Sequence, residues 1–186
     1  MKLDVFLSMM RYGIILEVIE PRVSEQREPL TNGDGPFRPN VAGLLLRRNG
    51  SQILLGERFD TPGCWQWPQG GLDPGESPEE GLRRELAEEI GIDQVSIRYQ
   101  FPFKLRYRFP QTLAARFTTI GQEQIYFVVE STDTPDLEKA GHQEFRELKW
   151  MPIEQALYSA VWFKKEVYRH VMDHLEQVRP QLTFLS

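Results

Sequence analysis

The chain has 186 residues, 40% of them hydrophobic, with 22 Lys and Arg against 27 Asp and Glu for a net charge of −5. This fits one soluble domain with a core of ordinary size and leaves little room for a second catalytic domain. The acidic balance argues against a general electrostatic grip on duplex DNA, and one cysteine, Cys64, excludes an internal disulfide and suits a reducing cytoplasm.

Residues 12–19 are apolar but include Glu17, and Asp4 and Arg11 interrupt what precedes them, so neither a membrane span nor a good signal peptide results. Residues 24–36 are polar and rich in Pro, Gly, Asn and Asp, which reads as a linker. The segment before it has three open readings: an added strand, a dimer contact, or upstream sequence ahead of a later start at Met9 or Met10.

The folded domain is expected to begin at Phe37. Runs 41–47 and 52–57 are strand-like and separated by Asn49-Gly50, a strong hairpin signal. Further strands are expected around 95–103, 104–109, 124–130 and 148–151. An amphipathic helix over 163–178 carries Val167, Val171, Met172 and Leu175 along one side. Strands interleaved with two long helices, without regular βαβ repetition, predict an α/β/α sandwich on a mixed β-sheet.

The chemistry concentrates between Gly70 and Ile92. Ser77, Pro78 and Glu80 make a capping box with proline at the first helical position, and Gly91 ends that helix. Glu85, Glu88 and Glu89 fall three and four residues apart, so their carboxylates share a face beside the apolar stripe Leu82, Leu86 and Ile90. Like charges at that spacing repel, and hard oxygen ligands suit magnesium or manganese; the bland alternative is a solvated acidic face. Arg84 stands one turn from Glu80 and from Glu88, placed to hold a ligand carboxylate.

A second feature is a basic and aromatic stretch free of acids between Asp93 and Glu123. Arg98, Lys104, Arg106, Arg108 and Arg116 alternate with Tyr99, Phe101, Phe103, Tyr107, Phe109 and Phe117. Over 104–109 the alternation is strict, so as a strand that part would show one cationic and one apolar face; it suits phosphate and base contacts, or else edge protection. Phe163-Lys164-Lys165 repeats that chemistry, although core packing of Phe163 is the simpler account. Glu144 lies in a loop-like segment before a strand.

Gly70, Glu76, Arg84-Glu85-Leu86, Glu88-Glu89 and Gly91-Ile92 together resemble the Nudix hydrolase signature at each fixed position. Phe37-Arg38-Pro39-Asn40-Val41, Glu57-Arg58-Phe59, residues 65–71, Leu105-Arg106-Tyr107, Ile120-Gly121-Gln122, Glu144-Phe145 and residues 163–168 extend the likeness. They resemble the bacterial RNA pyrophosphohydrolases and the related dinucleoside polyphosphate hydrolases.

The resemblance implies a Nudix-type sandwich over 37–180, an extension and linker over 1–36 and a tail over 181–186. It implies Mg2+ or Mn2+ bound by Glu85, Glu88, Glu89 and Glu144 with Gly70 in the metal-binding set, and Arg84, Glu88, Glu89 and Glu144 in the catalytic set. Arg38 would face phosphate, while Arg58, Tyr107, Phe163 and Lys164 would line the base pocket. One carboxylate, Glu89 or Glu144, would take the proton of the attacking water.

The implied substrate is a 5′-triphosphate or diphosphate RNA end or, alternatively, a dinucleoside polyphosphate. An ADP-ribose-type hydrolase and a non-catalytic nucleotide sensor are remoter readings, and the oligomeric state stays open. Trp67 and Trp162 depart from common family residues and would alter base preference.

Overall fold

A computed structural model describes residues 16–19, 35–109, 118–159 and 164–184. Its strands are β1 (Leu16–Ile19), β2 (Phe37–Arg47), β3 (Gln52–Arg58), β4 (Trp65–Gln66), β5 (Gln69–Gly71), β6 (Ser96–Arg108), β7 (Gly121–Glu130) and β8 (Phe145–Pro152). Helix α1 (Pro78–Ile90) follows β5, and α2 (Ile153–Ser159) and α3 (Lys165–Val178) follow β8. The strand order is β1-β6-β7-β2-β3-β4, with β5 on β2 and β8 on β3. β2 and β7 run parallel and the other pairs antiparallel, so the sheet is mixed.

Alternation along β2 divides the core. Val41 and Leu45 point to one face with Leu82, Leu86 and Ile90 of α1, while Ala42, Leu44 and Leu46 point to the other with Val167, Val171 and Leu175 of α3. The result is the expected α/β/α sandwich. Gly43 lets α1 lie close, since a Cβ there would meet Leu82 at 3.1 Å and Leu86 at 3.3 Å. Leu86 is fully buried, so Leu86→Ala would cost about 2–5 kcal/mol and loosen the helix that carries the acids.

The Asn49-Gly50 hairpin forms with Arg48, Asn49 and Gly50 all at positive φ. The two strands expected over 95–103 and 104–109 are one strand, β6. Its pairing with β7 shifts between Gln100 and Lys104, where Pro102 has no N–H to donate. The apolar residues before the linker include β1, which pairs antiparallel with Lys104–Tyr107. Helix α3 begins at Lys165 rather than at 163, and Phe163 lies outside the described residues, as do Arg116, Phe117 and Trp162.

Candidate active site

The loop and helix between β5 and Ile92 form as their residues dictate. Ser77 caps α1, accepting from the Glu80 N–H at 3.3 Å while the Glu80 carboxylate accepts from the Ser77 N–H at 2.9 Å. Gly91 closes it in the left-handed region at φ 66°. Two glycines make the floor of the site. A Cβ on Gly70 would fall 1.8 Å from the Glu85 carboxyl carbon, and one on Gly71 would fall 2.1 Å from an Arg38 nitrogen. Only bare backbone lets Glu85 and Arg38 approach β5 from its two sides.

Arg84 organises the carboxylates. Its Nη1 donates to Glu85 at 2.8 Å and Glu88 at 3.2 Å, while Nε and Nη2 grip Glu76 at 2.9 and 2.8 Å and Nη2 also reaches the Gly71 carbonyl. The fork draws the Glu76 carboxyl down to about 2. Glu80 is occupied by the cap, so Glu76 is the partner on that side, one that helical spacing could not show because it precedes the helix. His142 also reaches Glu88, with Nδ1 3.5 Å from its carboxylate and the His142 backbone N–H donating to the Glu88 carbonyl at 2.9 Å. No spacing pointed to that contact.

Glu89 is only 4% exposed, and its carboxylate accepts the Gln69 N–H at 2.9 Å. Burial, with Glu144 and Glu85 adding repulsion, pushes its pKa well above the usual carboxylate range. Burial also raises Glu85, against the pull of Arg84.

Across from α1, Arg58 at the end of β3 pairs with Glu144 through Nη1 and with Asp60 at 2.7 and 2.8 Å. Lys164 is 5% exposed and donates to the side-chain oxygens of Gln69 at 2.8 Å and Gln66 at 3.2 Å. Burial and the nearby Arg58 lower its pKa to about 7, opposed by Glu89 and Glu144. Its ammonium sits 5.6 Å from the ring centre of Tyr107, which is fully buried with its hydroxyl on Gln122. An ammonium only donates, so the Gln66 and Gln69 oxygens must face it. Gln66 Nε2 is then left without a partner among the described residues.

The structure thus gathers Glu85, Glu88, Glu89, Glu144, Arg84, Arg58, Tyr107 and Lys164 around β5, with Arg38 beside Gly71. The interleaved cations of β6 go elsewhere. Lys104 and Arg106 pair with Glu123, and Arg98 with Glu130, the acids of β7 just beyond the acid-free stretch. Trp67 is fully buried, stacked on Tyr168 at 3.5 Å between ring centres, and backs the wall from the core.

As the side chains stand, no three carboxylates among the described residues converge on a point that would hold one ion. Arg84 holds Glu85 and Glu88, and Arg58 holds Glu144. The donor chemistry nonetheless fits a hard divalent cation: four oxygen donors surround the site, and one of them, Glu89, is a buried carboxylate with no salt-bridge partner among the described residues.

The NUDIX domain model matches residues 36–171. An RNA pyrophosphohydrolase of Helicobacter pylori is 38% identical over 146 residues, covering 76% of this chain and 94% of that protein. One from Ectopseudomonas mendocina is 37% identical, covering 78% and 95%. Among solved structures, a Nudix hydrolase from Nitrosomonas europaea superposes with a TM-score of 0.61 at 15% identity, covering 81% of this chain and 98% of that one. A C. elegans Ap4A hydrolase superposes at 0.54 with 20% identity, covering 75% and 98%. With the family model spanning most of the chain and the signature acids gathered around β5, the chain belongs to the Nudix hydrolase family.

Proposed function

We propose that this enzyme hydrolyses the phosphoanhydride of a 5′-triphosphorylated or diphosphorylated RNA end, leaving a 5′-monophosphate. The observation that carries the reading is the junction of two unlike walls at β5: a carboxylate helix on one side and the cationic, aromatic set Arg58, Lys164 and Tyr107 on the other. That arrangement can hold a phosphate chain and the nucleoside attached to it. Relatives named RNA pyrophosphohydrolase, 33–38% identical, support the RNA end as the substrate.

Nudix hydrolases depend on divalent metal, and here Mg2+, replaceable by Mn2+, would be held by Glu85, Glu88, Glu89 and Glu144 beside Gly70. When bound, the cations neutralise the phosphate oxygens and lower the pKa of the attacking water. Arg84 keeps Glu85 and Glu88 oriented toward β5. Glu89 or Glu144 accepts the proton of the attacking water, and Arg38 and Lys164 hold the negative charge that develops on the leaving phosphates. Arg58 lines the nucleoside side of the pocket, and Tyr107, expected from the sequence to line it too, is fully buried and backs that wall from the core. No helix among the described residues is long and apolar enough to cross a membrane, and a cytoplasmic setting follows from the RNA substrate and the single cysteine.

The test is hydrolysis in Mg2+ of a short 5′-triphosphorylated RNA against diadenosine tetraphosphate and ADP-ribose, with Glu89→Gln in parallel. Preferred conversion of the RNA, lost in the variant, is the expected result. Preference for the dinucleotide would replace the RNA end as substrate, and no hydrolysis of any of the three would overturn the reading.

A further inference from the structure

Arg58 divides its donors between two carboxylates. Nε and Nη2 form a parallel fork on Asp60, at 2.7 Å to Oδ1 and 2.8 Å to Oδ2, while Nη1 reaches Oε1 of Glu144 alone. The fork fixes the guanidinium plane. Glu144 is therefore held by a single oxygen, and its Oε2 accepts no hydrogen bond among the described residues.

Asp60 itself is pinned. Thr61 Oγ1 donates to its Oδ1 at 3.0 Å. The turn that carries it is tied at both ends, with Phe59 N–H on the Glu144 carbonyl, Arg58 N–H on the Cys64 carbonyl and Gly63 N–H on the Glu57 carboxylate. Glu57 is in turn gripped by Arg146, two residues beyond Glu144, at 2.7 and 2.9 Å. The segment holding Asp60 and the segment holding Glu144 are thus one clamped unit, although Asp60 is 62% exposed at its side chain and looks like an ordinary surface acid.

We propose that Asp60 is a positioning residue that acts through Arg58 to keep Glu144 half-engaged. An arginine beside a single available carboxylate closes on both of its oxygens, because the bidentate fork is the stronger geometry. By occupying the Nε–Nη2 edge, Asp60 keeps that side-on fork from Glu144 and holds the guanidinium in the plane where Nη1 alone meets Oε1, leaving Oε2 for the divalent cation or the attacking water. Without Asp60, Arg58 turns its freed edge onto Glu144 and withdraws both oxygens. The proposal rests on Glu144 serving the reaction as set out above, and it gives Asp60 a role although it touches neither substrate nor metal.

The test compares wild type, Asp60→Ala, Arg58→Gln and the double variant. Mn2+ binding by the substrate-free protein is followed through the electron paramagnetic signal of the free ion, alongside steady-state kinetics on triphosphorylated RNA. The expected result for Asp60→Ala is Mn2+ binding and kcat each reduced about tenfold, the scale for partners of metal ligands, with KM unchanged. In the Arg58→Gln background the same substitution should change neither.

Three results would overturn the proposal: Asp60→Ala equal to wild type; KM raised with Mn2+ binding intact, which would put the fork in service of the base; or an effect persisting without Arg58, which would be long-range charge. Because Mn2+ binding needs no RNA, a failure of the substrate assignment would appear as binding without hydrolysis and leave this proposal separately decided.

Discussion

Between Gly70 and Glu89 the site is built from one continuous stretch of chain. Arg84 hydrogen-bonds to Glu76, Glu85 and Glu88, all within eight residues of it, and pairs with the exposed Asp73 at 3.8 Å. The opposite wall is assembled from far apart: Arg58 meets Glu144 across 86 positions, and Lys164 meets Gln69 and Gln66 across 95 and 98. Of its charges, Lys164 is buried between the Gln66 and Gln69 amides beside the Tyr107 ring, and burial together with Arg58 lowers it to about 7. Solvated charges can change with little consequence for folding, whereas buried ones couple chemistry to stability. Glu89 sits on the local helix but is buried like Lys164, so it belongs to both regions.

The largest effect should come at that residue. Glu89→Gln should lower kcat about a hundredfold or more if Glu89 takes the proton, while the metal-free protein melts at a higher temperature, because a neutral amide sheds the burial cost that raises the carboxyl. Steady-state rates and thermal unfolding in chelator check both halves, and a lower melting temperature would break the comparison.

Next in size, Lys164→Met should lower kcat for triphosphorylated RNA about tenfold, the worth of one charged hydrogen bond to the charge that develops on the leaving phosphates. It also carries a pH signature. The folded pKa near 7 lies below the unfolded value of 10.5, so the unfolded chain binds more protons between them and the lysine's stability penalty shrinks as pH rises through that window. Denaturant unfolding at pH 7 and pH 10 should show wild type gaining on the variant.

Gly70→Ala comes third. The added methyl must displace the Glu85 carboxyl, costing about 1–3 kcal/mol in a packed site, and kcat should fall more than KM rises. Unaltered kinetics would mean that Glu85 has room to move.

On the local side, Glu76→Gln should lower stability at neutral pH and leave it less dependent on pH through the acid range. The Glu76 carboxyl is held near 2 in the folded chain against 4.5 unfolded, so its contribution is complete above 4.5 and lost as pH falls toward 2. Smallest of all, Lys104→Gln removes a half-exposed pair with Glu123, worth about 0.2–1 kcal/mol, and should not change KM. A rise in KM would return the β6 cations to the substrate.

The sequence by itself determined the local half. Capping at Ser77, termination at Gly91, the three-and-four spacing of the acids and the Asn49-Gly50 hairpin depend only on neighbours in the chain, and each forms as its residues require. The alternation of β6 was legible too, including Tyr107 on the buried face. Its continuity was not, because a proline inside a strand reads as a break until a neighbouring strand tolerates the shifted pairing.

Only the tertiary structure decided the partners. Family likeness pointed to Arg58, Glu144 and Lys164, but their contacts with Asp60, Gln66 and Gln69, and the pairing of β6 cations with β7 acids, are products of strand order and loop closure. The chain spacing of side chains says nothing about such contacts. Burial follows the same rule: that Glu89 lies in the dry depends on what packs above the helix, and that burial raises its pKa.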